Sequence, residues 1–155
     1  MVSAEGNLPF PFTAEEIRDA MPEGLVITLA KTSPAGDQQE IWKVESADAE
    51  GVSIEYTVLD GDGAQQMEPV VQRALWTELR DHATFSTANA KRQETRRTTA
   101  LGELDGWLYT TEGPVDGTRS EMFFATKYPG APVQMKAFQD GVAVVSMEQV
   151  KRQAP

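Results

Sequence analysis

Apolar residues recur along the chain in short runs that glycine, proline and aspartate separate. The clearest alternation lies at residues 52–60, where one side is apolar and the other polar. The apolar side consists of Val52, Ile54, Tyr56 and Val58. A period of two residues is typical of a half-buried strand. Further strands are predicted at residues 25–31, 39–46, 104–111, 121–126 and 133–150, the last one broken by a turn at 139–141.

Helical signals occur at two places. Thr13 and Glu16 have the spacing of a capping box, Phe12 and Ile17 that of a hydrophobic staple, and Pro22 ends the helix that they begin. Residues 76–83 predict a second helix of two turns. Residues 67–75 fit either a strand near a sheet edge, because they contain a proline, or the front of a longer second helix. Residues 90–100, polar on both sides and rich in threonine, predict an exposed strand.

These elements predict a mainly β (α+β) fold. Short turns between strands and the lack of a βαβ rhythm favour a curved antiparallel sheet or half-barrel of about seven to nine strands, with the two short helices at its open side. Residues 1–11 are expected to be a flexible lead-in, and residues 12–152 a single β-rich domain.

Composition excludes several classes of function. The chain has no cysteine, so it has no disulfide framework, thiolate zinc site or cysteine nucleophile. Its formal net charge of −10 opposes binding to nucleic acid or anionic lipid. No apolar run approaches the roughly 18–20 residues of a membrane span. The first residues read like an initiator methionine placed on a mature chain whose leader was removed, which favours an extracytoplasmic (periplasmic or secreted) protein.

Candidate catalytic or metal-binding groups lack their usual companions. His82 has Asp81 and Glu78 nearby but no serine in a nucleophile-elbow context, so we interpret it as the end of a helix. Residues 60–63 offer two carboxylates for calcium, with Glu68 as a third ligand only if the turn curls back. The oxygen ligand, glycine and glutamate that an EF-hand requires next are missing, which favours a hairpin tip.

Other charged residues are interpreted in the same way. An enzyme would require two carboxylates to converge in a cavity, from a set that comprises Glu55, Asp60, Glu103 and Asp105. The one basic cluster comprises Lys91, Arg92, Arg96 and Arg97. On a strand it splits between two faces, and no aromatic residues for base stacking accompany it.

Aromatic and methionine side chains concentrate on the predicted strands. In a closed barrel they would fill the interior. In a half-open sheet they would line an apolar groove, and the candidate ligand-binding residues are then Trp42, Tyr56, Trp76, Tyr109, Phe124 and Met135. No cofactor or metal is predicted.

The last third of the chain resembles a known superfamily. It reads GELDGWLYT at 102–110, FFA at 123–125, PGAPV at 129–133 and a strand that ends at Met147 and Glu148. This order resembles small exported bacterial proteins with the half-barrel of the LolA/LolB lipoprotein-carrier superfamily. The resemblance implies a curved sheet with helices across its mouth, an extracytoplasmic setting and, by analogy, an apolar ligand. It carries no catalytic motif and no binding residues.

The sequence therefore predicts a non-enzymatic extracytoplasmic protein that holds an apolar, lipid-like ligand or a partner segment in a curved β-sheet. The alternative is an assembly subunit that binds a protein partner or another copy of itself through an edge strand, with residues 90–100 as the candidate edge. A carboxylate enzyme is a third class.

Trp107 provides a test of this interpretation. Period two places it with Asp105 and Tyr109 on one face of a strand, and Leu104 and Leu108 on the other, so the strand is expected to be central in the sheet and at least half covered. Truncating a buried tryptophan costs about 3–5 kcal/mol. We expect Trp107→Ala to leave little folded protein in a thermal melt; a melting temperature within a few degrees of wild type would contradict the assignment.

Overall fold

Nine antiparallel strands and two short helices make up the computed structural model, which describes residues 6–155. The helices are α1 (Ala14–Ala20) and α2 (Trp76–Asp81). The strands are β1 (Val26–Ser33), β2 (Gly36–Ala47), β3 (Gly51–Asp60), β4 (Val70–Leu75), β5 (Ala90–Thr99), β6 (Gly102–Glu112), β7 (Thr118–Ala125), β8 (Gln134–Gln139) and β9 (Val142–Gln153).

The strands form one curved, unclosed sheet in the order β4-β3-β2-β1-β9-β8-β7-β6-β5. The chain starts in the middle at β1, runs outward to β4, crosses through α2 to β5 at the other edge, and returns to the middle at β9. Pairing of β1 with β9, from Val26 opposite Gln153 to Thr32 opposite Ser146, joins the two halves. The predicted mainly β fold is confirmed, and residues 70–75 form an edge strand separate from the second helix.

Local signals in the sequence position α1. The Thr13 hydroxyl accepts a hydrogen bond from the Glu16 amide at 3.1 Å, and the Glu16 carboxylate accepts one from the Thr13 amide at 3.0 Å. This capping box satisfies two amides at the helix start. Phe12 and Ile17 are both buried, as a hydrophobic staple requires.

The main core lies on the concave face of the sheet. It joins strand residues from both halves to residues of the covering segments. The strand residues include Ile27, Leu29, Val44, Ile54, Tyr109 and Phe124, and the covering residues are Phe12, Ile17, Met21, Trp76 and Ala83. Because apolar burial is the main favourable contribution to folding, this contact keeps the two short helices on the open side of the sheet.

A smaller core lies on the opposite face of β6 and β7. It consists of Leu104, Phe123, Ala125 and Val133, with Leu101, Leu108 and Tyr128 packed around it. The buried Gln149 holds the β7–β8 connection, since its side-chain amide donates to the carbonyl oxygens of Ala131 and Pro132 at 3.3 and 3.1 Å. The apolar residues that the sequence places on both faces of β6 are thus covered by two separate cores.

The segment before α1 takes part in the cover. The Leu8 amide donates to the Phe85 carbonyl at 2.8 Å, and the Thr87 amide donates to the Gly6 carbonyl at 2.9 Å. The Tyr109 hydroxyl donates to the Pro9 carbonyl. Residues 6–11 of the predicted lead-in are therefore bound to the sheet and to the segment after α2, while residues 1–5 lie outside the described part of the chain.

Tyr109, and not Trp107, is the aromatic residue of β6 that we expect to contribute most to stability. β6 is paired on both sides, as the sequence implied, but Trp107 is only partly buried, whereas the side chain of Tyr109 has 0% exposure. We expect Tyr109→Ala to lower the free energy of unfolding by about 3–5 kcal/mol, and Trp107→Ala to lower it by less. Urea denaturation of both variants measures this, and the reverse order would contradict the assignment of the main core.

Candidate binding cavity

An apolar cavity of about 260 Å³ lies between the two halves of the sheet and the segments that cover them. Its lining residues come from both sheet halves, both helical regions and the β7–β8 connection. They are Met21, Trp42, Ile54, Tyr56, Leu79, His82, Ala83, Met122, Phe124, Gly130, Ala131, Pro132 and Met135. The unclosed sheet creates this cavity, because strands from the two halves approach it from opposite sides.

One wall consists of an aromatic pair from β2 and β3. Trp42 and Tyr56 are directly opposite each other in the strand register, with ring centroids 5.5 Å apart and an angle of 72° between the ring planes. The Trp42 indole N–H donates to the Glu40 carboxylate at 3.2 Å. Edge-to-face packing and this hydrogen bond fix the ring orientation, so the wall is formed before any ligand arrives.

The other wall is more adaptable. Met122 on β7 lies opposite Met135 on β8, and Phe124 is two residues further along β7 on the same face. Phe124 itself is fixed by edge-to-face contacts with Phe12 and Tyr109, at 6.2 and 5.5 Å between centroids. Methionine side chains are flexible and polarisable, so this wall can change shape around ligands of different outline.

The cover closes the cavity from the end of α1, from α2 and from the β7–β8 connection. Gly130 adopts a φ of 131°, a conformation that favours glycine, and a Cβ at this position would lie 3.4 Å from the Met21 sulfur. A larger residue at position 130 would therefore press against Met21 and the end of α1.

Comparison with solved structures finds this fold elsewhere. A crystal structure of MucB in complex with MucA(peri) superposes with a TM-score of 0.59 at 12% identity, over 90% of this chain and 53% of the other. The complex structure of Pseudomonas aeruginosa MucA/MucB and a crystal structure of MucB both give 0.56 at 14% identity. They cover 91% of this chain and 56% and 58% of theirs. The shared feature is the fold.

This chain thus spans little more than half the length of those structures. A comparison with models of known protein families finds no match, and one with curated proteins finds none either. Identity of this order supports a common fold and does not by itself transfer a function.

Four of the six predicted ligand-binding residues line the cavity, namely Trp42, Tyr56, Phe124 and Met135. Trp76 and Tyr109 lie outside its lining. Trp76 is buried, and its indole N–H donates to the Asp48 carbonyl at 2.8 Å. Tyr109 stacks on Phe85 at 4.5 Å between centroids. Both residues hold the cover onto the sheet, and contact of the other four with a ligand stays a prediction.

The residues predicted from the sequence did not include Met122 or the covering residues that line the cavity. Alternation with Phe124 on one strand could have identified Met122. No local signal identifies Met21, Leu79 or Gly130, because their approach depends on how the chain crosses the open side of the sheet.

Several charged groups occupy structural positions. His82 is the C-cap of α2, as predicted, and lies exposed at the cavity rim. The Asp60 carboxylate accepts hydrogen bonds from the amides of Asp62 and Ala64, both at 2.9 Å, which makes residues 60–63 the predicted hairpin tip. Residues 6–155 contain no group of three or more metal-ligating side chains, and no helix within them is both long and apolar enough to cross a bilayer.

The four carboxylates considered for catalysis do not meet in the cavity. Glu103 and Asp105 both bind Arg96, at 3.3 and 3.1 Å, while Asp60 lies at its turn and Glu55 on β3. None of the four is among the residues that line the cavity.

The basic cluster on β5 is divided between two faces, as predicted. The Arg92 guanidinium stacks on the Trp107 ring at 3.9 Å, on the face that carries Tyr109. On the other face, Arg97 pairs with Glu121 at 3.4 Å. β5 is an edge strand, but it presents polar side chains that are largely bound within the chain.

Tyr56 gives the cavity wall a pH dependence. Burial and then the charge of Glu40 raise the pKa of the Tyr56 phenol above its ordinary value of 10.0. The folded state therefore favours the neutral phenol, and stability falls as the pH rises from about 10 through the raised pKa. We expect Tyr56→Phe to lose less stability than wild type between pH 9 and pH 11, as measured by urea denaturation. Equal losses of stability in both proteins would show that ionisation of the Tyr56 phenol does not destabilise the folded state.

Proposed function

We propose that this chain is a non-enzymatic extracytoplasmic binding module that holds an apolar ligand in the cavity of its curved sheet. The observation that carries the proposal is the cavity lining, where two aromatic rings of one sheet half face two methionines and a phenylalanine of the other. Apolar pockets with few polar groups are typical of sites for apolar ligands.

The volume limits the size of the ligand. An engineered apolar cavity of roughly 150 Å³ in another protein binds benzene, so about 260 Å³ accommodates a medium acyl segment or one large side chain of a partner. It lies slightly below the roughly 300–1,000 Å³ that drug-sized ligands occupy. The flexible methionine wall favours a ligand with variable outline, such as an acyl chain.

Several observations support a binding role over catalysis. The candidate carboxylates are separated, and the lone histidine is a helix cap at the cavity rim. A site built from hydrocarbon surface offers burial to a ligand but no general acid, base or nucleophile at its centre.

The structural neighbours support the same class of function. MucB is described in complex with MucA(peri), so a protein of this fold binds a protein partner. By this analogy, a partner segment with one large apolar side chain is the second candidate for the cavity. Kinship with the LolA/LolB superfamily stays a prediction.

Fluorescence quenching tests the cavity as a ligand site. 8-Bromooctanoic acid carries a heavy-atom quencher at the end of a medium acyl chain, and we expect it to quench Trp42, which lies in the cavity wall. Ala131→Leu places additional bulk in the cavity. We expect it to raise the concentration of acid that gives half-maximal quenching about tenfold or more. Ala35→Leu, at the exposed β1–β2 turn, is the matched control and should bind like wild type.

Trp42→Phe separates binding from its signal. This variant should lose most of the quenching while native mass spectrometry still detects the bound acid. Equal quenching in wild type and Ala131→Leu, or quenching that persists in Trp42→Phe, would contradict the proposal.

A further inference from the structure

The two edges of the open sheet differ in charge. Residues 45–81, which contain β4 and its surroundings, carry nine carboxylates and two arginines, for a formal charge of −7. At the opposite edge, β5 carries four cations and one carboxylate, for a formal charge of +3. The β4 edge therefore attracts cationic partners. The net charge of −10 alone would not show which part of the surface attracts them.

Apolar exposure concentrates at the same acidic edge. Four of the six exposed large apolar residues in the described part of the chain lie within residues 67–75. They are Met67, Val70, Val71 and Leu75, with exposures of 51, 37, 57 and 42%. Edge strands usually carry charged side chains that prevent association, so a row of exposed apolar residues on β4 indicates an interaction site.

The backbone of β4 has unused hydrogen-bonding groups on its outer side. The Trp76 amide donates to the Glu50 carbonyl at 3.1 Å, and the β3–β4 register continues without a bulge. In an antiparallel ladder every second residue bonds to a given neighbour, so Val70, Gln72 and Ala74 bond to β3. The amide and carbonyl groups of Val71 and Arg73 then point outward, where no strand of residues 6–155 pairs with them.

The groups at both ends limit this free edge. Pro69 has no amide hydrogen, and the Leu75 amide donates to the Glu78 carboxylate at 2.8 Å. Val71 and Arg73 are thus the β4 residues whose outward amide and carbonyl groups are both available, which matches a short extended peptide and not a long continuous sheet.

Acidic groups lie beyond each end of the edge. Glu68 is exposed just before β4. At the other end, Leu75 borders a cleft of about 320 Å³ that is also lined by Glu15, Glu50 and Arg18. The Arg18 guanidinium pairs with Asp19 at 3.2 Å, so the cleft offers the carboxylates of Glu15 and Glu50 to a cationic side chain.

We infer that the outer edge of β4 binds an extended segment of a partner protein, with apolar side chains at alternate positions and lysine or arginine at its ends. The segment pairs with the backbone of Val71 and Arg73. Its apolar side chains cover Val71 and Leu75, and its cations reach Glu68 and the cleft.

A second copy of this chain fits the edge less well. Two β4 edges would bring together two acidic regions, and two copies that each carry a charge of −10 repel each other. The basic edge of β5 is polar on both faces, so it has no apolar side chains to cover Val71 and Leu75.

A labelled peptide tests the inference directly. The probe is a fluorescein-labelled heptapeptide Lys-Val-Thr-Val-Thr-Val-Lys, with Glu-Val-Thr-Val-Thr-Val-Glu as the charge-reversed peptide, and the measurement is fluorescence anisotropy against protein concentration. We expect saturable binding of the first peptide that weakens as salt is added, and binding of the second at least about tenfold weaker.

Variants of Val71 separate backbone pairing from apolar contact. Val71→Pro removes one outward amide without breaking the β3–β4 ladder and should weaken binding about tenfold. Val71→Thr keeps the amide and the branched shape of the side chain, and it should fold because position 71 is exposed. We expect it to weaken binding about threefold, because threonine offers less apolar surface than valine. Glu94→Pro is the matched control on β5. The Glu112 amide donates to the Asn89 carbonyl, so every second residue counted from Asn89 bonds to β6. Glu94 lies between two such residues, and its amide therefore points outward. This variant should bind like wild type.

Three results would overturn the inference. The first is equal binding of the two peptides, and the second is an equal loss of binding in Val71→Pro and Glu94→Pro. The third is self-association of the free protein, detected by light scattering, that the Val71→Pro substitution abolishes. The cavity variant Ala131→Leu should bind the peptide like wild type, since none of the residues at this edge lines the cavity. The edge and the cavity can therefore fail independently.

Discussion

Tyr109 connects the sheet to the segments that cover its concave face. Its ring stacks on Phe85 from the segment after α2 and meets Phe124 of β7 edge to face, at 4.5 and 5.5 Å between centroids. Its hydroxyl donates to the Pro9 carbonyl, in the segment before α1. One completely buried side chain thus joins a strand, the segment after α2 and the segment before α1.

The covered concave face explains why the sheet remains open. Closing the sheet would require β4 to pair with β5, but α1, α2 and the segments around them fill the space between the two halves. They bury the strand residues that a closed barrel would direct inward, among them Ile27, Ile54 and Phe124. The fold therefore keeps two free edges and a cavity where the two halves face each other.

The likeness to MucB at 12 to 14% identity illustrates how little of this architecture depends on particular residues. Alternating strands, short turns and an apolar cover can be supplied by many different sequences. The aromatic and methionine lining of the cavity and the apolar, acidic edge at β4 are observed in this chain itself. These two features therefore carry the functional argument.

The sequence by itself determined the elements whose signals are local. The capping box at Thr13 and Glu16, the alternation along β3 and the turn at residues 60–63 all depend on residues within a few positions of each other. Four cavity residues also followed from the sequence, because large apolar side chains on one face of a strand must be covered.

Only the tertiary structure decided which partners cover them. The pairing of Val26 with Gln153, the approach of Met21 to Gly130 and the burial of Tyr109 under Pro9 and Phe85 join residues far apart in the chain. Strand periodicity shows which face of a strand is apolar but not which segment packs against it. That choice is made by the packing of the whole chain.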